Sequence, residues 1–161
     1  MENNKRLKIG LDFHGVITDE PAYFKEFTDA AAARGHQIYV ITGGPEDAVQ
    51  KFLQSWGICC YKLFTILDYY AKRDMVTYDQ DGNFKVDDDL WNTAKAKFCR
   101  QYQIDIHIDN SALYGKYFTT PYCLYDPDSR SCMLKNDLVV SLNLPPKDAL
   151  AQIEKALDFR S

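Results

Sequence analysis

Three clusters of polar residues stand directly after apolar runs: Asp12-Phe13-His14-Gly15 after LKIGL, Thr42-Gly43-Gly44 after QIYVI, and Asp109-Asn110-Ser111 after IDIHI. Together they offer two carboxylates, an imidazole, a hydroxyl and two glycine-permitted backbone turns. Gathered on one edge, such groups suit a divalent cation and a phosphate. Hard oxygens hold Mg²⁺, while amide hydrogens and hydroxyls hold phosphoryl oxygens. Each cluster also has a plain structural reading. Asp12 could cap a turn, although a buried carboxylate without a partner is costly. His14 could serve an irregular backbone, and Thr42 could be an ordinary β-branched strand residue.

The clusters meet only if the apolar runs are parallel strands. LKIGLDF (residues 7–13) reads as a strand buried on both faces, and HQIYVIT (36–42) as a second. Between them, DEPAYFKEFTDAAAARG reads as a helix, with Asp19 able to cap it, Pro21 in its first turn and Gly35 as a left-handed stop. PEDAVQKFLQSW is a second helix and ICCYKLFTIL (58–67) a third strand. A short polar-aromatic stretch, DYYAKRD, follows. MVTYDQDGNFKV reads as a β-hairpin turned at Asp81-Gly82, an insertion over about residues 75–87. Asp87, Asp88 and Asp89 precede the helix LWNTAKAKFCRQY, placing negative charge at its positive end. IDIHID (104–109) is a fourth strand, PYCLYD a fifth and PKDALAQIEKALDF a closing helix. Alternating strands and helices predict βαβ units and a mostly parallel sheet covered on both faces, in one α/β domain over residues 1–161. In such sheets ligands bind beyond the carboxyl ends of the strands, where the three clusters lie.

Several function classes drop out. The net charge of −4 and scattered lysines and arginines leave no nucleic-acid footprint. No G-x-G-x-x-G or phosphate-loop motif supports a dinucleotide or kinase-type nucleotide site. The acidic stretch from Asp79 lacks the glycine and glutamate of a calcium loop at the required places. The N-terminal apolar run meets Asp12 too early for an export signal or membrane span. The five cysteines are an odd number without C-x-x-C spacing, so neither a zinc cluster nor a disulfide framework is expected. The vicinal Cys59-Cys60 pair is expected to be buried in a strand. Reduced cysteines and no export signal predict a cytoplasmic protein. Asp105 and His107 share a strand face with Asp109 and are read as structural or hydrogen-bonded features.

DFHGVITD after an apolar strand resembles the first motif of the haloacid dehalogenase (HAD) superfamily, Asp-x-Asp-Gly-Thr/Val. YVITGG resembles its second motif and HIDNS its fourth, and the likeness runs from about Lys8 to Asp126. The resemblance implies a HAD-like Rossmannoid three-layer α/β/α sandwich and a hydrolase of the phosphatase type. In it Asp12 would be the nucleophile and would form an aspartyl-phosphate. Mg²⁺ would be the cofactor, held by Asp12, the His14 backbone carbonyl and Asp109, with Asn110 completing the metal site by offering an oxygen to a metal-bound water. Thr42 and the amide of Gly43 would bind the phosphoryl oxygens. The family's third motif implies a lysine, assigned to Lys95, with Lys97 and Lys72 as alternatives.

Two positions depart from the family pattern. Residue 14 is His where family phosphatases place a second Asp as general acid and base. Imidazole is suited to that role near neutral pH. Residue 110 is Asn where many members are acidic, which removes one negative charge. About thirty residues separate Asp12 from Thr42, leaving no room for a large cap. The expected substrate is a small-molecule phosphomonoester, such as a nucleotide or sugar phosphate, with no nucleic acid or membrane partner. A neighbouring subunit of a homo-oligomer, or the hairpin, would then shield the site. The rival reading is a non-catalytic relative that binds Mg²⁺ and a phosphorylated ligand or partner.

Overall fold

A computed structural model describes residues 6 to 158. The first strand, β1 (Lys8–Leu11), lies between β2 (Gln37–Thr42) and β6 (Ile106–Asp109), parallel to both. Beyond β2 lies β3 (Lys62–Thr65), and beyond β6 lies β7 (Tyr122–Asp126), again parallel. Two short antiparallel strands, β8 (Ser131–Met133) and β9 (Val139–Ser141), complete a seven-stranded sheet. The chain is thus mixed α/β with a mostly parallel sheet.

Strand alternation sends β2 into two separate cores. Ile38 and Val40 join a cluster with residues of α1 (Pro21–Ala33), α2 (Glu46–Ser55) and α6 (Pro146–Asp158). Tyr39 and Ile41 face the other way, onto Phe98 and Cys99 of α4 (Asp88–Gln101). Burial on both faces is what lets β1 and β2 be nearly continuous apolar runs. Helix α4 starts two residues before the sequence suggested, because the Asp87 carboxylate caps it by accepting from the amides of Asp89 and Leu90. A two-stranded hairpin, β4 (Thr77–Tyr78) and β5 (Phe84–Lys85), stands apart from the main sheet. Its tip is tied by Asp79, whose Oδ1 accepts from the amides of Asp81 and Asn83.

Four expectations need correction. The third strand is only four residues long. Ile66 opens a helix, α3 (Ile66–Ala71), which claims part of DYYAKRD. Ile66 and Tyr70, four residues apart, both pack against Val86 and Ala94, so helical rather than strand periodicity prevails there. Cys59 is exposed and Cys60 half-buried in the segment ahead of β3, not buried within it. Cys123 and Cys132 form a disulfide between β7 and β8, so the cysteines are not all reduced. That pairing depends on β8, which is too short to stand out as a strand in the sequence. Asp19 does not cap α1; it accepts a hydrogen bond from the Tyr125 hydroxyl instead. No helix among the described residues is long and apolar enough to cross a membrane.

Candidate functional site

The tips of β1, β2 and β6 are level, since Leu11 pairs with Val40 on one side and Ile108 on the other. From β1 the chain runs outward through β2 to β3, then returns past β1 to β6. The reversal beside β1 is the switch point where open parallel sheets leave room for a ligand. The Asp12 amide donates to the Ile108 carbonyl at 2.9 Å, extending the ladder by one residue. The backbone then opens into a wide turn over Phe13–Ile17, with Gly15 at φ +87°. The Gly15 amide donates to Thr18 Oγ1 at 2.9 Å. This turn buries Phe13, Val16 and Ile17 and leaves the His14 side chain exposed.

Behind the strand tips lies a buried cluster of charges. Lys95, reaching in from α4, places Nζ 2.7 Å from Asp109 Oδ2 and 3.1 Å from Asp12 Oδ1. His107 Nε2 is 2.9 Å from the same Asp109 oxygen and, facing a carboxylate, carries the proton. The Ser111 amide donates to Asp109 Oδ1. Burial alone would raise the Asp109 pKa. The hydrogen bond from His107 and the charge of Lys95 outweigh it and hold that carboxyl well below the usual range. Asp12 goes the other way: burial pushes its carboxyl up, and Lys95 only partly offsets this. Burial works against the charged form of Lys95, yet Asp12 and Asp109 together carry its pKa above the ordinary value.

The other Asp12 oxygen meets a different set of groups. One terminal atom of the Asn110 amide lies 3.1 Å from Asp12 Oδ2 and 3.3 Å from the His14 carbonyl oxygen. Both neighbours only accept, so with no cation between them the amide nitrogen faces inward and donates to both. Turned over, the amide would bring a third oxygen to the same point. Adjacent ligands of an octahedral Mg²⁺, each 2.0–2.1 Å from the ion, are about 3 Å apart. The two distances from the amide are compatible with that separation. No group of three or more His, Cys, Asp or Glu side chains among the described residues could hold a metal. The set here draws on a backbone carbonyl and an amide instead.

Thr42 is 1% exposed, and its hydroxyl oxygen has no hydrogen-bond partner. A buried, unsatisfied hydroxyl at a strand tip is uncommon and calls for an explanation. Next to it, Gly43 lies under Trp91 of α4. A Cβ at residue 43 would stand 3.0 Å from the indole, closer than ordinary contact, so the indole would have to shift to admit one. Trp91 Nε1 donates to the Tyr114 hydroxyl at 3.0 Å, and the Tyr114 ring lies 5.1 Å from Lys95 Nζ. Phe84 of the hairpin packs on Trp91 with ring centroids 5.5 Å apart. An aromatic wall thus rises beside the cluster, joining the hairpin to α5 (Ala112–Gly115).

The structure brings together Asp12, Lys95, Asp109, Asn110 and the His14 carbonyl, and sets Thr42 and Gly43 on the neighbouring strand tip. Lys97 and Lys72, the other candidates for the lysine, are exposed. The His14 ring has no hydrogen-bond partner among the described residues, and its only ring neighbour is Phe13, edge-on at 5.0 Å. His107 belongs to the charge cluster; the alternation of IDIHID was the signal that could have placed it there. Asp105 lies elsewhere, accepting from the Lys8 amide at 2.8 Å. Trp91 and Tyr114 escaped sequence reasoning because nothing distinguished them from core and rim aromatics. Comparisons with family models, with curated proteins and with solved structures find no match to this chain.

Proposed function

We propose that the chain is a Mg²⁺-dependent phosphohydrolase of HAD-like architecture, acting on a phosphomonoester through Asp12. The observation that carries this reading is the division of labour at one carboxylate. Asp12 Oδ1 accepts from the Phe13 amide at 2.8 Å and faces Lys95, while Oδ2 faces Asn110 and the His14 carbonyl. Asp12 Oδ2, the His14 carbonyl and Asn110 would hold Mg²⁺, with Asp109 supplying the second negative charge of the set. When bound, the ion would offset the repulsion between an anionic nucleophile and an anionic substrate.

In the first step Asp12 Oδ1 attacks phosphorus, and the bond from phosphorus to the leaving oxygen breaks. The imidazolium of His14 gives its proton to that oxygen. In the second step neutral His14 takes a proton from water as the water attacks the aspartyl-phosphate, releasing phosphate and restoring Asp12. Thr42 Oγ and the Gly43 amide would hold phosphoryl oxygens. Lys95 favours the anionic form of Asp12, partly offsetting burial, and places Oδ1. The Trp91–Tyr114 wall would stand where a capped relative has its cap and would contact the leaving group.

The test is phosphate release from a panel of phosphorylated metabolites with Mg²⁺, run beside Asp12→Asn. Release that survives this substitution in pure protein overturns the mechanism. The second reading, a non-catalytic binder of Mg²⁺ and a phosphorylated ligand, is favoured by the exposed, unpartnered ring of His14. Calorimetry showing tight ligand binding without turnover, unchanged in His14→Asp, would decide for it.

A further inference from the structure

We propose that the cleft between α3 and α4, alongside β3, binds a small anionic ring compound of the nucleoside-phosphate class, at a site separate from the Asp12 cluster. The cleft has a volume of about 490 Å³, within the range of small-molecule sites. It runs along the sheet's edge strand, because β3 has a partner only in β2.

Charge decides the sign of the ligand. Lys62, Lys72, Arg73 and Lys97 all line the cleft, in a chain whose net charge is −4. None of the four has an ion-pair partner among the described residues. Only two acids share the lining, and one of them is already engaged. Asp68 Oδ2 accepts from the Glu46 amide at 2.8 Å and from Thr65 Oγ1 at 2.7 Å. An anion gains from this surplus of unneutralised cations, whereas a cation does not.

The rings decide the rest. Phe64 stacks on Phe98, and Phe98 on Tyr102, with centroids 4.4 Å apart in each case. Lys62 Nζ lies over the Tyr102 ring at 5.1 Å, and the Arg73 guanidinium lies over Tyr69 at 3.6 Å. A flat guanidinium already stacked on an exposed tyrosine offers both a ring face and a fork of donors. Aromatic rings beside cations that have no carboxylate partner match a ligand that carries a planar ring and an anionic group together. Bare phosphate would use only the cations.

Helix α4 keeps this site apart from the first. Trp91 and Lys95 project toward the Asp12 cluster, while Ala94, Lys97 and Gln101 line the cleft. Asp12, Thr42 and Asp109 are not part of its lining.

The probe is adenosine 5′-monophosphate, titrated calorimetrically into the whole chain in EDTA so that no divalent ion supports binding at Asp12. Saturable one-to-one binding is expected, weaker by about tenfold or more for inorganic phosphate and for adenosine. Arg73→Glu with Lys97→Glu, both exposed positions, should weaken it by at least about tenfold, while Asp12→Asn leaves it unchanged. Hydrogen exchange with the probe bound should show protection in β3, α3 and the second half of α4. No saturable binding at millimolar probe overturns the proposal, as does binding that survives the charge reversal. Loss in Asp12→Asn, or protection confined to the strand tips, also overturns it. None of these outcomes depends on phosphate release, so the phosphohydrolase reading stands or falls separately.

Discussion

Lys95 Nζ lies between two buried carboxylates, 3.1 Å from Asp12 and 2.7 Å from Asp109, so one cation serves both. The sharing is unequal. Asp109 also receives His107 and the Ser111 amide, whereas Asp12 is raised by burial and only partly compensated. Asp12 is therefore the less satisfied anion, a suitable state for a nucleophile and a poor one for stability.

Asp12→Asn should abolish Mg²⁺-dependent phosphate release without lowering the melting temperature at pH 7. With the Asp12 pKa raised on folding, its ionised form costs stability above the folded-state value, and the amide carries no such cost. The variant's relative advantage should shrink as pH falls through that value and wild-type Asp12 takes up its proton. Thermal melts across pH 4 to 8 check the sign; a large loss at pH 7 would contradict it.

Lys95→Met should be the most damaging single change in the cluster. It leaves two carboxylates buried without their cation, which costs about 3–5 kcal/mol. Chemical denaturation measures this, and the deficit should narrow in acid as the carboxyls become neutral.

Asp109→Asn tests the opposite shift. The carboxyl of Asp109 titrates below its unfolded value of about 3.9, so its anion stabilises the fold at every pH above that. The contribution declines as pH falls below the unfolded value and is fully lost once it has passed the lower, folded-state one. The gap between variant and wild type should therefore be flat from pH 8 to 5 and close in stronger acid. A gap that instead widens below pH 4 contradicts the assignment.

Thr42→Val separates folding from function. The hydroxyl it removes is buried and unsatisfied, so stability should hold or rise by up to about 1 kcal/mol. If Thr42 binds phosphate, KM for any substrate found should rise by about tenfold or more.

Asn110→Leu addresses the cation. Mg²⁺ should raise the wild-type melting temperature and leave that of this variant unmoved, because the amide oxygen is lost from the set around Asp12 Oδ2. Equal shifts in both proteins would place the ion elsewhere.

The parallel core was legible because its strands are mostly apolar runs ending in polar residues, as in KIGL before Asp12 and IHI before Asp109. The hairpin was legible from Asp81-Gly82. What escaped notice was short or depended on distant partners. The β8 and β9 strands have three residues each, too few for alternation to register, and the Cys123–Cys132 disulfide follows from their pairing. Helix α3 was hidden by β-branched and aromatic residues that tertiary packing turned to helical use. At the site, residue types at the strand tips announced Asp12, Thr42 and Asp109. Trp91 and Tyr114 carried no local mark, since only the docking of α4 brings the indole over Gly43.

Gly15 constrains the site's neighbourhood through its torsion and its surroundings together. Its φ of +87° suits glycine, and a methyl group built there would stand 2.2 Å from the outer end of the Asn110 side-chain amide. Torsion and space thus forbid the same change for unrelated reasons, and relieving one leaves the other in force. Even alanine would need both a new backbone path and the eviction of the amide from Asp12. A mutational scan should find position 15 intolerant of every replacement, while exposed His14, immediately before it, accepts many without loss of fold.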